Sequence, residues 1–352
     1  MTLAAILRHL GFALGLALLS ATVVRAMISA RVMDHPDYER KSHDLPTPKG
    51  GGAGIVVAFL TGIVLLYQFA EFARLAEPYF RGVIEASVAI AIVAFLDDLF
   101  DWPFTIKLCA QVLAAVVAVG SGLYVRGYSF PYVGTVYLAW LGPVVTIAWL
   151  LFATNAMNFI DGLNGLAGGV ALIAAAFLAY IAGTHDGWFA YAACLLLVAG
   201  LAGFLPFNFP RARIFMGDVG SQFCGFMLAI LGVVTSRFED VSLSFLLMPM
   251  LLSGVLFDVA FTLLRRGFEG VRLTEAHRGH LYQVAHRSGV PAVAVAWVHL
   301  GFAAFGGVCC LLFIASPSQL KPFVPSLTLV PQFVWLAYVT SRAQKAGLTR
   351  WG

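Results

Sequence analysis

Residues 164–183 read NGLAGGVALIAAAFLAYIAG, and after the tetrapeptide THDG residues 188–207 read WFAYAACLLLVAGLAGFLPF. Neither run holds a charged side chain. A helix needs ~20 mostly apolar residues to cross a bilayer, so the pair reads as two membrane-spanning helices joined by a short turn. The rest of the chain has the same character. Of its 352 residues, 60% are hydrophobic and 11% are charged, against ~25% charged in an ordinary soluble domain. So few charges cannot cover a soluble surface around that much apolar material. Disorder, a collagen-like fibre and a nucleic-acid-binding tail are excluded by the same figures.

The same reading finds about eleven apolar windows, each near the length of a span. They fall near 4–24, 52–70, 82–96, 106–124, 135–153, 164–183, 188–207, 220–236, 243–264, 291–315 and 323–341. The fold class is all-α: a polytopic integral membrane protein, with residues 1–352 as a single domain. The first window is read as a retained span rather than a signal peptide. Its apolar run is long, and Arg25 and Arg31 follow it with no small-x-small cleavage site. Cys109, Cys194, Cys224, Cys309 and Cys310 lie in apolar stretches without metal-ligand spacing, and read as small buried hydrophobes.

Sidedness follows from Lys and Arg. With an odd number of spans, the loops after windows 1, 3, 5, 7 and 9 share a side with the C-terminal tail. They hold sixteen of the 22 basic residues. The N-terminus is therefore expected outside and the C-terminus in the cytoplasm. Five polar clusters fall in those same cytoplasmic loops: DHPDYERKSHDLPTPKGGG (34–52), DDLFD (97–101), NAMNFIDGLNG (155–165), FNFPRARIFMGDVGS (207–221) and TEAHRGHLYQ (274–283). Polar groups near bilayer depth are costly and usually functional, so one composite site is expected on that face.

Each cluster has a chemical reading and a plainer one. Asp97, Asp98 and Asp101 crowd the end of one span, and Asp97 and Asp101 share a face at helical spacing. Adjacent carboxylates repel and call for a cation; oxygen donors suit Mg²⁺, with Mn²⁺ as the alternative. The plainer reading is a helix cap or a solvated loop end. Asn155, Asn158, Asp161 and Asn164 recur every three residues, a polar ridge if helical and a turn if not. Asp218 lies between Gly217 and Gly220 at a helix start, where phosphate or a metal binds well and where an N-cap is the ordinary use. Arg211 and Arg213 fit a pyrophosphate or simple membrane anchoring. His277, Arg278 and His280 can contact phosphate oxygens, or serve structure alone. His299 reads as a packed histidine. Asp258, inside a span, is expected either to pair with Arg265 or Arg266 or to reach the cytoplasmic site. On physics alone it also leaves a transporter or flippase of an anionic or polyprenyl-linked substrate open.

The motifs PTPKGGG, FLDDLFD, NAMNFIDGLNGLAGG, FMGDVGS and HRGHLYQ, in this order over residues ~34–283, resemble those of the polyprenyl-phosphate N-acetylhexosamine-1-phosphate transferases. The HRGHLYQ form looks most like the branch that initiates O-antigen. The resemblance implies transfer of a sugar 1-phosphate, of GlcNAc, FucNAc or QuiNAc type, from a UDP-sugar to undecaprenyl phosphate with release of UMP. It implies a bacterial inner-membrane enzyme of envelope polysaccharide synthesis, with Mg²⁺ as cofactor. It also implies roles. Asp97, Asp98 and Asp218 are catalytic, with Asp218 and Asp98 on the metal. Asn155, Asn158 and Asp161 bind the nucleotide sugar. His277, Arg278 and His280 hold its diphosphate or its sugar, and Lys41 and Lys49 lie at the lipid phosphate; Arg213 joins the substrate-binding set on its charge. The spans do not specify the oligomeric state and leave a homodimer open.

Overall fold

The structure, a computed structural model, describes residues 3–34, 46–69, 78–130, 134–236, 243–272, 277–348 and 351. It is a helical bundle. In chain order the helices are α1 (Leu3–Ala30), α2 (Gly52–Phe69), α3 (Pro78–Phe100), α4 (Phe104–Gly120), α5 (Leu141–Phe159), α6 (Leu166–Thr184), α7 (Trp188–Asn208) and α8 (Gly217–Thr235). Then come α9 (Leu247–Leu251), α10 (Ser253–Phe268), α11 (Leu281–Arg287), α12 (Ala292–Ala315), α13 (Val324–Leu327) and α14 (Leu329–Lys345). Two antiparallel ribbons complete it: Met33–Asp34 with Thr47–Pro48, and Gly127–Phe130 with Gly134–Tyr137.

Helix lies under every apolar window of the sequence. Among the described residues eight helical stretches are long and apolar enough to cross a membrane: those of α1, α2, α5, α6, α7, α8 and α12, and the run Lys321–Lys345. The other three windows differ for visible reasons. Helix α3 carries Arg81, Glu85, Asp97 and Asp98. Helix α4 has 17 residues. The window at 243–264 is interrupted at Leu252, between α9 and α10.

Helix α8 is the axis of the bundle. Every residue from Val219 to Thr235 is buried, as expected of a helix that is apolar all round. It packs on α3, α5 and α2, while α7 packs on α1, α2 and α6. Small residues let these helices approach closely, the usual device where lipid removes the hydrophobic drive for association. A Cβ on Gly52 would clash with the Cα of Gly220, so α2 and α8 cross backbone to backbone. Four of the cysteines are buried and all are free, but Cys109 is exposed on α4, contrary to the sequence reading.

The ends of the helices are in register. The C-termini of α3, α5 and α7 and the N-termini of α2, α4, α6 and α8 gather at one end. Gly51 N and Gly52 N donate to the carbonyls of Phe215 and Met216 at 2.9 and 2.8 Å, and Gly165 N donates to Asn208 Oδ1 at 2.7 Å. At the other end His9 Nδ1 meets the Tyr191 hydroxyl at 2.8 Å, and Phe80 stacks on Phe189. The described parts of the polar clusters therefore converge at one end of the bundle.

Candidate active site

Three carboxylates and one ammonium form the centre. Asp97 and Asp98 end α3, and their side chains diverge. Asp98 Oδ1 accepts from Asp218 N at 3.1 Å, and its Oδ2 accepts from Val219 N at 3.0 Å. The carboxylate thus satisfies two of the orphan amides at the start of α8 and places negative charge at that helix's positive end. Gly217 makes the approach possible. Its φ is +74°, and a Cβ there would stand 2.6 Å from Asp98 Oδ2.

Asp97 faces the other way. Lys107 Nζ lies 3.0 Å from Asp97 Oδ2 and 3.0 Å from Asp218 Oδ2. Asp97 Oδ1 is buried and has no hydrogen-bond partner. Asp218 is held on both sides: Asn158 Nδ2 donates to its Oδ1 at 3.0 Å, and Gln222 Nε2 to its Oδ2 at 3.0 Å. Asn158 also donates to Ser221 Oγ. Behind them Gln111 donates to Gln222 Oε1 at 3.0 Å and accepts from Asn155 Nδ2 at 2.7 Å. Buried polar groups linked in this way specify one arrangement.

Lys107, Gln111 and Gln222 are site residues that the sequence reading missed. Lys107 counted there only toward sidedness. The available signal was spacing: Lys107 with Gln111, and Asp218 with Gln222, are four apart on otherwise apolar helices, hence on one face each.

The expected helical face of Asp97 and Asp101 does not form. Helix α3 stops at Phe100, and Asp101 turns outward with φ +49°. There it meets Lys49 Nζ at 3.2 Å, with its own side chain 88% exposed. Burial lowers the Lys49 pKa, but the bond to Asp101 and the charges of Asp98, Asp101 and Asp34 outweigh it and leave the pKa raised. The Asn/Asp ridge is also shorter than its spacing implies. Asn155 and Asn158 sit on α5, which ends at Phe159. Asn164, beyond it, donates to the Pro210 carbonyl. Asp161 lies in the turn between, half-buried. Burial raises its carboxyl pKa well above the usual range, with Asp218 and Asp98 adding to the rise.

The segment after α10 forms the next wall. His277 and His280 stack with centroids 5.1 Å apart, and His280 lies 5.8 Å from the ring of Phe159. The Tyr282 hydroxyl donates to the Phe159 carbonyl at 2.9 Å. His277 Nδ1 accepts from Gly279 N, so the neutral ring carries its proton on Nε2. Burial, with His280, Arg266 and Arg265 beside it, pushes the His277 pKa down to about 4. The Arg278 carbonyl accepts from Arg287.

Asp258 does not pair with Arg265 or Arg266. It accepts instead from the start of α11, and Arg265 binds Glu269 and the Gly279 carbonyl. His299 is packed as expected, though its Nε2 has no hydrogen bond. Arg213 stands apart from the carboxylates: it is exposed and lies over the ring of Phe207 at 5.1 Å, as Arg25 does at 5.7 Å. Lys41 lies outside the described residues.

The donors at the centre are hard oxygens, and one cation already bridges two of the three carboxylates. That set fits Mg²⁺. Among the described residues no group of three His, Cys, Asp or Glu side chains is placed to hold a metal ion. Mg²⁺ bound here would therefore complete its shell with water and substrate phosphate oxygens, its usual habit.

Residues 80–236 match the sequence profile of "Glycosyl transferase family 4". Over 304 residues the chain is 31% identical to the "Decaprenyl-phosphate N-acetylglucosaminephosphotransferase" of Mycobacterium leprae, covering 78% of this chain and 76% of that one. The chain belongs to the polyprenyl-phosphate N-acetylhexosamine-1-phosphate transferase family. It is also 27% identical over 339 residues to a Bacillus subtilis protein named "Probable undecaprenyl-phosphate N-acetylglucosaminyl 1-phosphate transferase", with 94% of this chain and 89% of that one covered. The "Phospho-N-acetylmuramoyl-pentapeptide-transferase" of Lactobacillus acidophilus is 31% identical over a shorter stretch, 57% of this chain and 65% of its own. The profile spans α3 to α8, which supply Asp97, Asp98, Lys107, Asn158 and Asp218. The His277–His280 segment lies beyond it.

Proposed function

We propose that this protein transfers an N-acetylhexosamine 1-phosphate from a UDP-sugar to undecaprenyl phosphate, releasing UMP, at the cytoplasmic face of a bacterial inner membrane. The observation that carries the reading is the carboxylate cluster itself. Asp97, Asp98 and Asp218 meet at one end of a membrane bundle, with Lys107 bridging Asp97 to Asp218 and Asp97 Oδ1 buried and unpartnered. The positive-inside bias of the loops supports the cytoplasmic assignment, with about eleven spans and the N-terminus outside.

The chemistry asked of the site is modest. A phosphate monoester has a second pKa near ~6 and is mostly ionised at neutral pH. An oxygen of the lipid phosphate forms a bond to the sugar-bound phosphorus, and the bond from that phosphorus to the UMP oxygen breaks with its electron pair leaving on UMP. No proton need be removed from the ionised nucleophile. The difficulty is bringing two anions together, so screening and placement do most of the work. Asp218 and Asp97 would hold Mg²⁺, whose contribution is to neutralise charge on the phosphate oxygens. Asp98 shapes the site by fixing the start of α8. Lys107 supplies a fixed positive charge, and Lys49 a second one at the edge where the lipid phosphate arrives. Asn155, Asn158 and Asp161 face the nucleotide sugar, and His277, Arg278 and His280 its diphosphate.

The names of the relatives make UDP-GlcNAc the first donor to try, with UDP-FucNAc and UDP-QuiNAc as the O-antigen-type alternatives. The test is mass-spectrometric detection of undecaprenyl-diphospho-sugar across that panel, with and without EDTA. A product from one donor, lost on chelation, is expected. Failure of every donor with protein folded in a bilayer refutes the reading.

A further inference from the structure

Asp258 is a buried carboxylate on α10, and its partners are backbone amides, a hydroxyl and a histidine rather than Lys or Arg. Its Oδ1 accepts from Leu281 N at 3.0 Å and meets His280 Nδ1 at 3.0 Å; its Oδ2 accepts from Tyr282 N at 2.9 Å. An ionised carboxylate only accepts, so His280 carries a proton on Nδ1 and leaves its Nε2 as the other bonding position. Asp258, His280 and Tyr282 are 1%, 6% and 1% exposed. From Tyr282 the chain of contacts continues. Its hydroxyl donates to the Phe159 carbonyl at 2.9 Å. Phe159 adjoins Asn158, which donates to Asp218 Oδ1 at 3.0 Å. Behind Asp258, His299 Nε2 stands 3.9 Å from its Oδ2.

We propose that Asp258 is a positioning residue for the donor diphosphate: it locks the start of α11 and the ring of His280 at a fixed height over the end of α5. The role needs a carboxylate. Four donors converge on two oxygens, the Thr262 hydroxyl at 3.4 Å being the fourth, and an amide would turn an NH₂ group toward a backbone N–H, leaving buried donors unpaired. The arrangement separates the two substrates. The clamp connects to the wall formed by His277, Arg278 and His280, whereas Lys49, in the segment before α2, reaches Asp101 and Lys107, on α4, reaches Asp97.

This inference rests on the transferase reading. Its test is steady-state kinetics of the full-length Asp258→Asn and Tyr282→Phe proteins in a bilayer, varying each substrate in turn. Asp258→Asn is expected to raise KM for the UDP-sugar about tenfold, the scale of one lost hydrogen bond to a charged group. KM for undecaprenyl phosphate stays unchanged. Tyr282→Phe gives the same split, at about threefold, and carries the test if Asp258→Asn does not fold. Adding His280→Ala to Asp258→Asn costs less than His280→Ala does alone, because the two act through one contact. An unchanged donor KM, or both KM values rising together, overturns the positioning role while leaving the transferase reading intact. No UMP release from the parent protein overturns both.

Discussion

Lys107, in the first turn of α4, holds its ammonium 3.0 Å from Asp218 Oδ2, in the first turn of α8. The same nitrogen is 3.0 Å from Asp97 Oδ2 on α3. One cation therefore ties three helix ends together, and it is the charge that lets two carboxylates stay close. Lys107→Met should leave that pair uncompensated, at a cost of about 3 kcal/mol for a largely buried interaction. Thermal unfolding checks this, and Mg²⁺ should restore more stability to the variant than to the parent, since only the variant lacks a resident cation. Equal stabilisation of both by Mg²⁺ would count against Lys107 as the cation that compensates Asp97 and Asp218.

Asp97 and Asp98 are adjacent in sequence but do different work. Asp98 spends its two oxygens on amides of α8, and Asp97 keeps one oxygen unpartnered. Asp98→Asn should lower stability by about 2 kcal/mol, because its NH₂ must face a backbone N–H. Asp97→Asn should leave stability nearly unchanged and reduce transfer about a hundredfold or more, the scale on which electrostatic transition-state contacts act. Unfolding curves and initial rates on the same two preparations separate these effects.

Gly217 tests the cap from the other side. Alanine there adds left-handed strain and a Cβ 2.6 Å from Asp98 Oδ2. Strain and a disrupted cap together should cost about 3 kcal/mol. Gly217→Ala should thus resemble Asp98→Asn in stability, and the double variant should be less destabilised than the sum.

His277 gives a pH dependence with a definite sign. Its pKa in the folded protein is about 4, below the ordinary 6.5. The unfolded chain binds the proton first, so stability is full above pH 6.5 and falls as the pH drops toward 4. His277→Gln should lose less stability than the parent between pH 7 and pH 5. Between pH 6 and 8 the neutral ring does not titrate, so the variant should leave the shape of the activity profile unaltered there.

The sequence reading placed a helix under each apolar window and brought the polar clusters to one end, because span length and loop polarity are local properties. Partner choice is not local, and the misreadings lie there. Lys107 looked like a topological anchor because its carboxylates are 10 and 111 residues away in the chain. Of the two readings of Asp258, pairing with Arg265 or Arg266, which are near in sequence, fails, because backbone amides 23 and 24 residues on take its oxygens. Asp97 and Asp101 share a face only if α3 continues, and it stops at Phe100. Arg213 carries the right charge for a phosphate, yet the fold lays it on Phe207 beside Arg25.

The most direct test of the central claim is UMP release by the purified protein in a bilayer with undecaprenyl phosphate, UDP-GlcNAc and Mg²⁺, run beside Asp218→Asn. The expected result is release that needs both substrates and the metal, with Asp218→Asn folded but inactive. Release that continues without the lipid phosphate, or at full rate in folded Asp218→Asn, would contradict a transferase centred on this carboxylate cluster.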